Sequence, residues 1–187
     1  MKSHWMKVIF LTAMSVLVMY SDAWIAAAGE EKETFRVMPD PSRGRSWALG
    51  LDAVRVREAR TGQVIRKIEI PGWMVARTVC APDLVLDRSG SAYVSNNAQP
   101  KLWRIDGDSF ELKEMPIILM GRERWDVGFG ALAFAADGSL LALTSAAGTL
   151  WHISADRRTA RLVDPGAPFS RTCAIGTKHL RQSFGSK

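Results

Sequence analysis

From Ala53 onward the chain is a succession of short apolar runs separated by turn residues. Val54 and Val56 alternate with Arg55 and Arg57, and Ile68 and Ile70 alternate with Lys67 and Glu69. A period of two with one apolar face is the mark of a half-buried strand. Helical periodicity of useful length is absent from this region, so the pattern predicts an all-β fold.

Folding the middle of the chain on itself exposes a repeat. The segment Asp83–Met115 matches Ala131–Val163 without a gap, at an offset of 48 (131 less 83). Gly90-Ser91 meets Gly138-Ser139, Leu102-Trp103 meets Leu150-Trp151, and Ile105 meets Ile153. Each unit reads as four strands. In the first they are 84–87, 92–95, 101–105 and 110–115; in the second, 132–135, 140–144, 149–153 and 159–163. Gly, Asn, Asp and Ser between them suit tight hairpins. Residues 53–70 read as the last two strands of an earlier unit, turning at Arg60-Thr61-Gly62. Four strands every 40–50 residues or so is the rhythm of propeller blades. The expectation is a β-propeller-like stack of four-stranded antiparallel blades over residues 47–171.

The flanks read differently. Lys2 and Lys7 precede an apolar run of 13 residues, Val8–Tyr20, and Ala26-x-Ala28 is a small-x-small end. These are the parts of a cleavable signal peptide over residues 1–28, with cleavage after Ala28 or Ala23. A run of 13 residues is too short for a spanning helix, which needs about 20. Export follows as the expectation, to a secreted or periplasmic location, with no membrane span in the mature chain. Residues 29–46, with Pro39-Asp40-Pro41-Ser42, are polar and turn-rich and read as a leader arm. Residues 172–187 read as a basic tail, or as a partial blade supplying inner strands to the first unit.

Two consequences come from length and cysteine count. Removing 28 of 187 residues leaves 159, about 3.3 blades at this period, whereas propellers close with roughly 4 to 8. The stack is therefore incomplete, or is closed by self-association as a homodimer of two half-rings. Cys80 and Cys173 are the only cysteines. In an oxidising compartment they read as one disulfide, against the alternative of two buried thiols. They begin units about two blades apart, which a closed flat ring would hold at a distance.

Catalytic motifs are scarce. Gly-x-Ser-x-Gly, a phosphate-binding loop and His-Glu-x-x-His are missing, and Ser-His-Asp chemistry has only His152 and His179 to draw on beyond the leader. His152 reads as an outward strand residue. Trp103 and Trp151 occupy equivalent repeat positions and read as packing between blades. Trp73 and Trp125 lie in connecting segments, Trp125 beside Arg122 and Arg124, and these four residues are the candidate binding rim. The formal charge of +6 favours acidic ligands or an anionic surface, while export argues against nucleic acid.

The stretches "DLVLDRSGSAYVSN…KLWRID" and "ALAFAADGSLLALTS…TLWHIS" resemble the NHL and SMP-30-like β-propellers over about residues 54–163. That resemblance implies a propeller fold. It also implies, as an alternative function, a gluconolactonase-like hydrolase holding a calcium-like divalent cation with Asp, Asn and Glu oxygens. The candidate ligands are Asp83, Asn96 and Asp126, although the family's Glu-Gly-Pro opening and Asn-Asp pair have no counterpart here. The leading expectation is a non-catalytic module that binds a protein or small molecule without a cofactor. A truncated propeller without independent function is the remaining alternative.

Overall fold

The computed structural model describes residues 33–76, 80–120, 128–145, 148–163 and 173. The leader expected over 1–28 and nearly all of the tail expected over 172–187 fall outside these residues. No helix among the described residues is long and apolar enough to cross a membrane.

The fold is all-β, built from three four-stranded antiparallel units with sequential strand order. The first blade is β1 (Thr34–Asp40), β2 (Arg45–Gly50), β3 (Val54–Glu58) and β4 (Val64–Ile68). The second is β5 (Leu84–Leu86), β6 (Ala92–Ser95), β7 (Lys101–Ile105) and β8 (Leu112–Pro116). A short strand, β9 (Ile118–Met120), follows. The third blade is β10 (Phe129–Phe134), β11 (Leu140–Thr144), β12 (Leu150–Ile153) and β13 (Thr159–Val163), with β9 added in parallel to β13. The first strands of successive blades are neighbours, β1 against β5 and β5 against β10. Such an inner row is how propeller blades are arranged.

The arm expected over 29–46 is corrected by this arrangement. Thr34–Asp40 and Arg45–Gly50 are the first two strands of blade one, joined by a single 3₁₀ turn at Pro41–Arg43 and by Gly44 in the left-handed region. The Pro-rich stretch is a hairpin turn, and the places that the tail was expected to fill are taken by β1 and β2. Strand β9 was not expected at all.

Both faces of blade two are buried, because adjacent residues of a strand point to opposite sides. Leu84, Val94, Trp103 and Ile105 pack with Trp47, Leu49, Val54 and Val56 of blade one. Val85, Tyr93 and Leu102 pack with Leu132, Leu140, Trp151 and Ile153 of blade three. Trp103 is paired with Val94 and Trp151 with Ala142, so each tryptophan meets the preceding blade from the same place in its own. Blade one carries Arg55, paired with Ala48, at that place. Arg55 donates to both oxygens of Asp52, and Lys67 bridges Asp52 and Glu69 beside it. At this place the outer face of blade one thus carries an ion-pair row, with Val37 and Val64 exposed on the same face, where its neighbours carry a buried tryptophan.

Candidate functional site

Because consecutive strands are antiparallel, each blade has two ends. Among the described residues, the ends of β6 and β11, the starts of β7 and β12 and the segment leading into β5 lie at one, the linker side. The turns β5–β6, β7–β8, β10–β11 and β12–β13 lie at the other, the turn side.

The linker side holds the described metal candidates, and their oxygens are engaged by the backbone. Asp83 accepts from Leu84 N (2.8 Å) and from Leu132 N of blade three (3.0 Å), with Arg36 of blade one 3.4 Å away. Burial pushes its carboxyl above the ordinary value, against the pull of these donors. The carboxylate of Asp83 therefore staples the inner strands of all three blades. Asn96 Oδ1 accepts from Ala98 N and Gln99 N, closing the β6–β7 turn. Asn97 exchanges two hydrogen bonds with the backbone of Ala76 and donates to Cys80 O. Its own carbonyl accepts from Ser145 Oγ of blade three (2.7 Å), and Phe129 N donates to Asn96 O. Asn96-Asn97 has the turn role open to it in the sequence. No cluster of three His, Cys, Asp or Glu suited to a metal occurs among the described residues, and Asp126 lies outside them.

Gly128 closes this seam at φ +64°, where an added Cβ would lie 2.3 Å from Asn97 C and 2.5 Å from Asn96 O. Both obstacles are backbone. Gly128→Ala should therefore cost about 2–4 kcal/mol from left-handed strain plus overpacking, read as a lower urea midpoint. An unchanged midpoint would mean that the seam is looser than described.

The disulfide candidate is realised. Cys80 and Cys173 are bonded, with Cα atoms 5.4 Å apart. Of the candidate rim, Trp73 is half-buried, packs edge-on against Trp103 at 5.6 Å and donates Nε1–H to Leu51 O. Arg122, Arg124 and Trp125 lie outside the described residues.

The turn side carries what sequence reasoning missed. Each blade junction holds an arginine against two aromatic rings. At the first, the Arg45 guanidinium lies 5.2 Å from the Trp47 and Phe110 centroids, donates to Asp40 (2.9 Å) and reaches Gly107 O. Arg43 closes over that junction, donating to Asp108 (3.0 Å) and Ser89 O (2.6 Å). At the second, Arg157 lies 5.1 and 5.3 Å from the Tyr93 and Phe134 centroids and donates to Ser154 O and Gly138 O. Beside it, between the second and third blades, is a cleft of about 420 Å³. Leu86, Phe134 and Ala135 give it an apolar lining; Asp87, Arg88, Ser89, Ala136 and Asp137 come from the two flanking turns.

Those turns are braced by their own side chains. Asp87 Oδ1 accepts from Ser89 Oγ (2.6 Å) and Ser91 N (3.0 Å), and Asp137 Oδ1 accepts from Ser139 Oγ (2.6 Å) and Ser139 N (2.9 Å). Ser139 holds the Asp137 carboxyl below its ordinary value. Behind them Arg104 donates to Ser91 Oγ, and His152 Nε2 meets Ser139 Oγ at 2.9 Å. Since Ser139 donates to Asp137, Nε2 is assigned as the donor. His152 is thus the counterpart of Arg104, bracing a turn from the strand behind it.

A third turn on this side gives an acid-stability expectation. Backbone donors from Ser109 and Asp108, with the Ser109 hydroxyl, hold Asp106 at about 2. A lowered carboxyl favours folding above its unfolded value, about 3.9, and that contribution is lost as pH falls through the folded one. The stability advantage of the native chain over Asp106→Asn should be constant above pH ~5 and shrink toward pH ~2, in urea titrations at stepped pH. A pH-independent difference would overturn the assignment.

These features define a fold of β-propeller type with an open cleft between its second and third blades. No family model matches the chain, and no curated protein matches it. Among solved structures it is similar to a streptogramin B lyase, with a TM-score of 0.54 and 13% identity over 73% of this chain and 42% of that one. The likeness is one of fold, and the chain spans less than half of the lyase.

Proposed function

We propose that the chain is an exported, non-catalytic β-propeller-type binding module, whose ligand site is the turn-side cleft between the second and third blades. The observation that carries this reading is the cleft itself. Its volume of about 420 Å³ lies within the roughly 300–1,000 Å³ of small-ligand sites, and its apolar lining under a polar rim is their usual make-up. Export is supported by the bond between Cys80 and Cys173, since structural disulfides persist in oxidising compartments. Closure of a ring by a second copy forms no part of the proposal. It would press Arg55, Lys67 and Asp52 against another blade, and desolvating such charges is costly.

A fragment screen followed by amide chemical shifts tests the reading. Binders should move the resonances of Ser89, Ala136 and Gly138, and Ala136→Trp, which fills the cleft from an exposed position, should abolish those shifts. Binders that cluster elsewhere, or that are indifferent to Ala136→Trp, would overturn it.

A further inference from the structure

The cleft also carries information about the charge of its ligand, and this inference rests on the binding reading above. Four charged residues line it: Asp87, Asp137, Arg88 and Arg157. They are not equivalent. Arg157 is buried, with both terminal nitrogens donating to carbonyls and its guanidinium plane held against Tyr93 and Phe134. It is part of the wall: its terminal nitrogens are turned to those carbonyls, and its Nε, though without a partner, is buried away from a ligand's reach. Arg88 is exposed on a long, flexible stem, and fixing it against a ligand would cost side-chain entropy, about 1–2 kcal/mol. The two carboxylates are short and already fixed, each by a serine hydroxyl and a backbone N–H of its own turn. Groups held in place before binding discriminate better than groups that must be ordered on binding.

We infer that the cleft selects a cation on an apolar stem, a primary ammonium or guanidinium whose charge meets Asp87 and Asp137 while the stem lies on Leu86 and Phe134. The local sign is thus opposite to that of the chain, which is +6 overall. Phe134 serves twice: one side of the ring holds Arg157, and its apolar surface lines the cleft. An amine meeting a carboxylate makes a charge-assisted hydrogen bond, the stronger kind.

Three probes of one shape test this on the full chain: 3-phenylpropylamine, 3-phenylpropanol and 3-phenylpropanoate, titrated while the Ser89, Ala136 and Gly138 amides are followed. The amine should bind about tenfold more tightly than the alcohol, as one charge-assisted hydrogen bond would give, and the carboxylate should bind weakest. In Asp87→Asn/Asp137→Asn the preference for the amine should vanish. Asparagine keeps the acceptor that braces each turn, so the cleft survives the change. If the alcohol or carboxylate binds as well as the amine at the same amides, the charge inference falls and the cleft stands. If none of the three, and no fragment, moves these amides, the binding reading itself fails.

Discussion

Trp103→Ala should lower the unfolding free energy by about 3–5 kcal/mol, and Trp151→Ala by a similar amount, as expected for deleting a buried aromatic side chain. Each indole is essentially inaccessible, and each lies in the seam between its own blade and the preceding one. Removing either leaves a cavity shared by two sheets that neither can fill alone. Arg55→Ala, at the matching position of the first blade, should change stability by no more than about 1 kcal/mol, since its ion pair with Asp52 is partly exposed. Urea unfolding of the three variants makes the comparison. Two large losses and one small one identify the outer face of blade one as an end of the array. A loss at Arg55 as large as at the tryptophans would mean that this face packs against something.

Severing the disulfide should have an effect at least as large. Cys80 and Cys173 are 93 residues apart, and closing a loop of that length stabilises by roughly 4–5 kcal/mol through restriction of the unfolded chain. The bond spans the second and third blades, with Cys80 placed between them by Cys80 N donating to Ser145 O and by Asn97 donating to Cys80 O. Cys80→Ser/Cys173→Ser, or the native chain under reductant, should unfold at a markedly lower urea concentration. Equal midpoints in oxidised and reduced samples would contradict this.

The blade rhythm was legible because turns and tryptophans recur at a fixed offset. Gly90 and Gly138 both adopt positive φ, and the β6–β7 and β11–β12 pairings repeat the same register. Blade one was half hidden for a local reason. A bulge between Thr34 and Arg36 shifts the register of β1, so Phe35 and Met38 both reach the core and the period of two is lost. Arg45, buried by its pairing with Asp40, reads in sequence as an exposed charge. Strand β9 has three residues and a parallel partner, too little for any pattern to show. The disulfide was readable as a pair of cysteines, but its geometry depends on how the blades fan out.

The cleft was the least legible feature. Its residues come from the ends of β5 and β10, from the turns that follow them and from Arg157, a non-glycine residue at φ +61°, and no motif joins them. Asp137 and Ser139 announced a tight turn, and nothing in the chain said that it would face the turn of another blade. Of the rim candidates only Trp73 lies among the described residues. Trp73 packs against Trp103 where two blades diverge, a setting that exposure guessed from sequence does not convey.

The central claim is that three blades stack side by side, with a cleft at the second junction. Ring-to-ring nuclear Overhauser contacts test it most directly. The account expects contacts between Trp47 and Phe110, whose centroids are 5.9 Å apart across the first junction, and between Tyr93 and Phe134, 5.4 Å apart across the second. Contacts confined to rings of the same blade would contradict it.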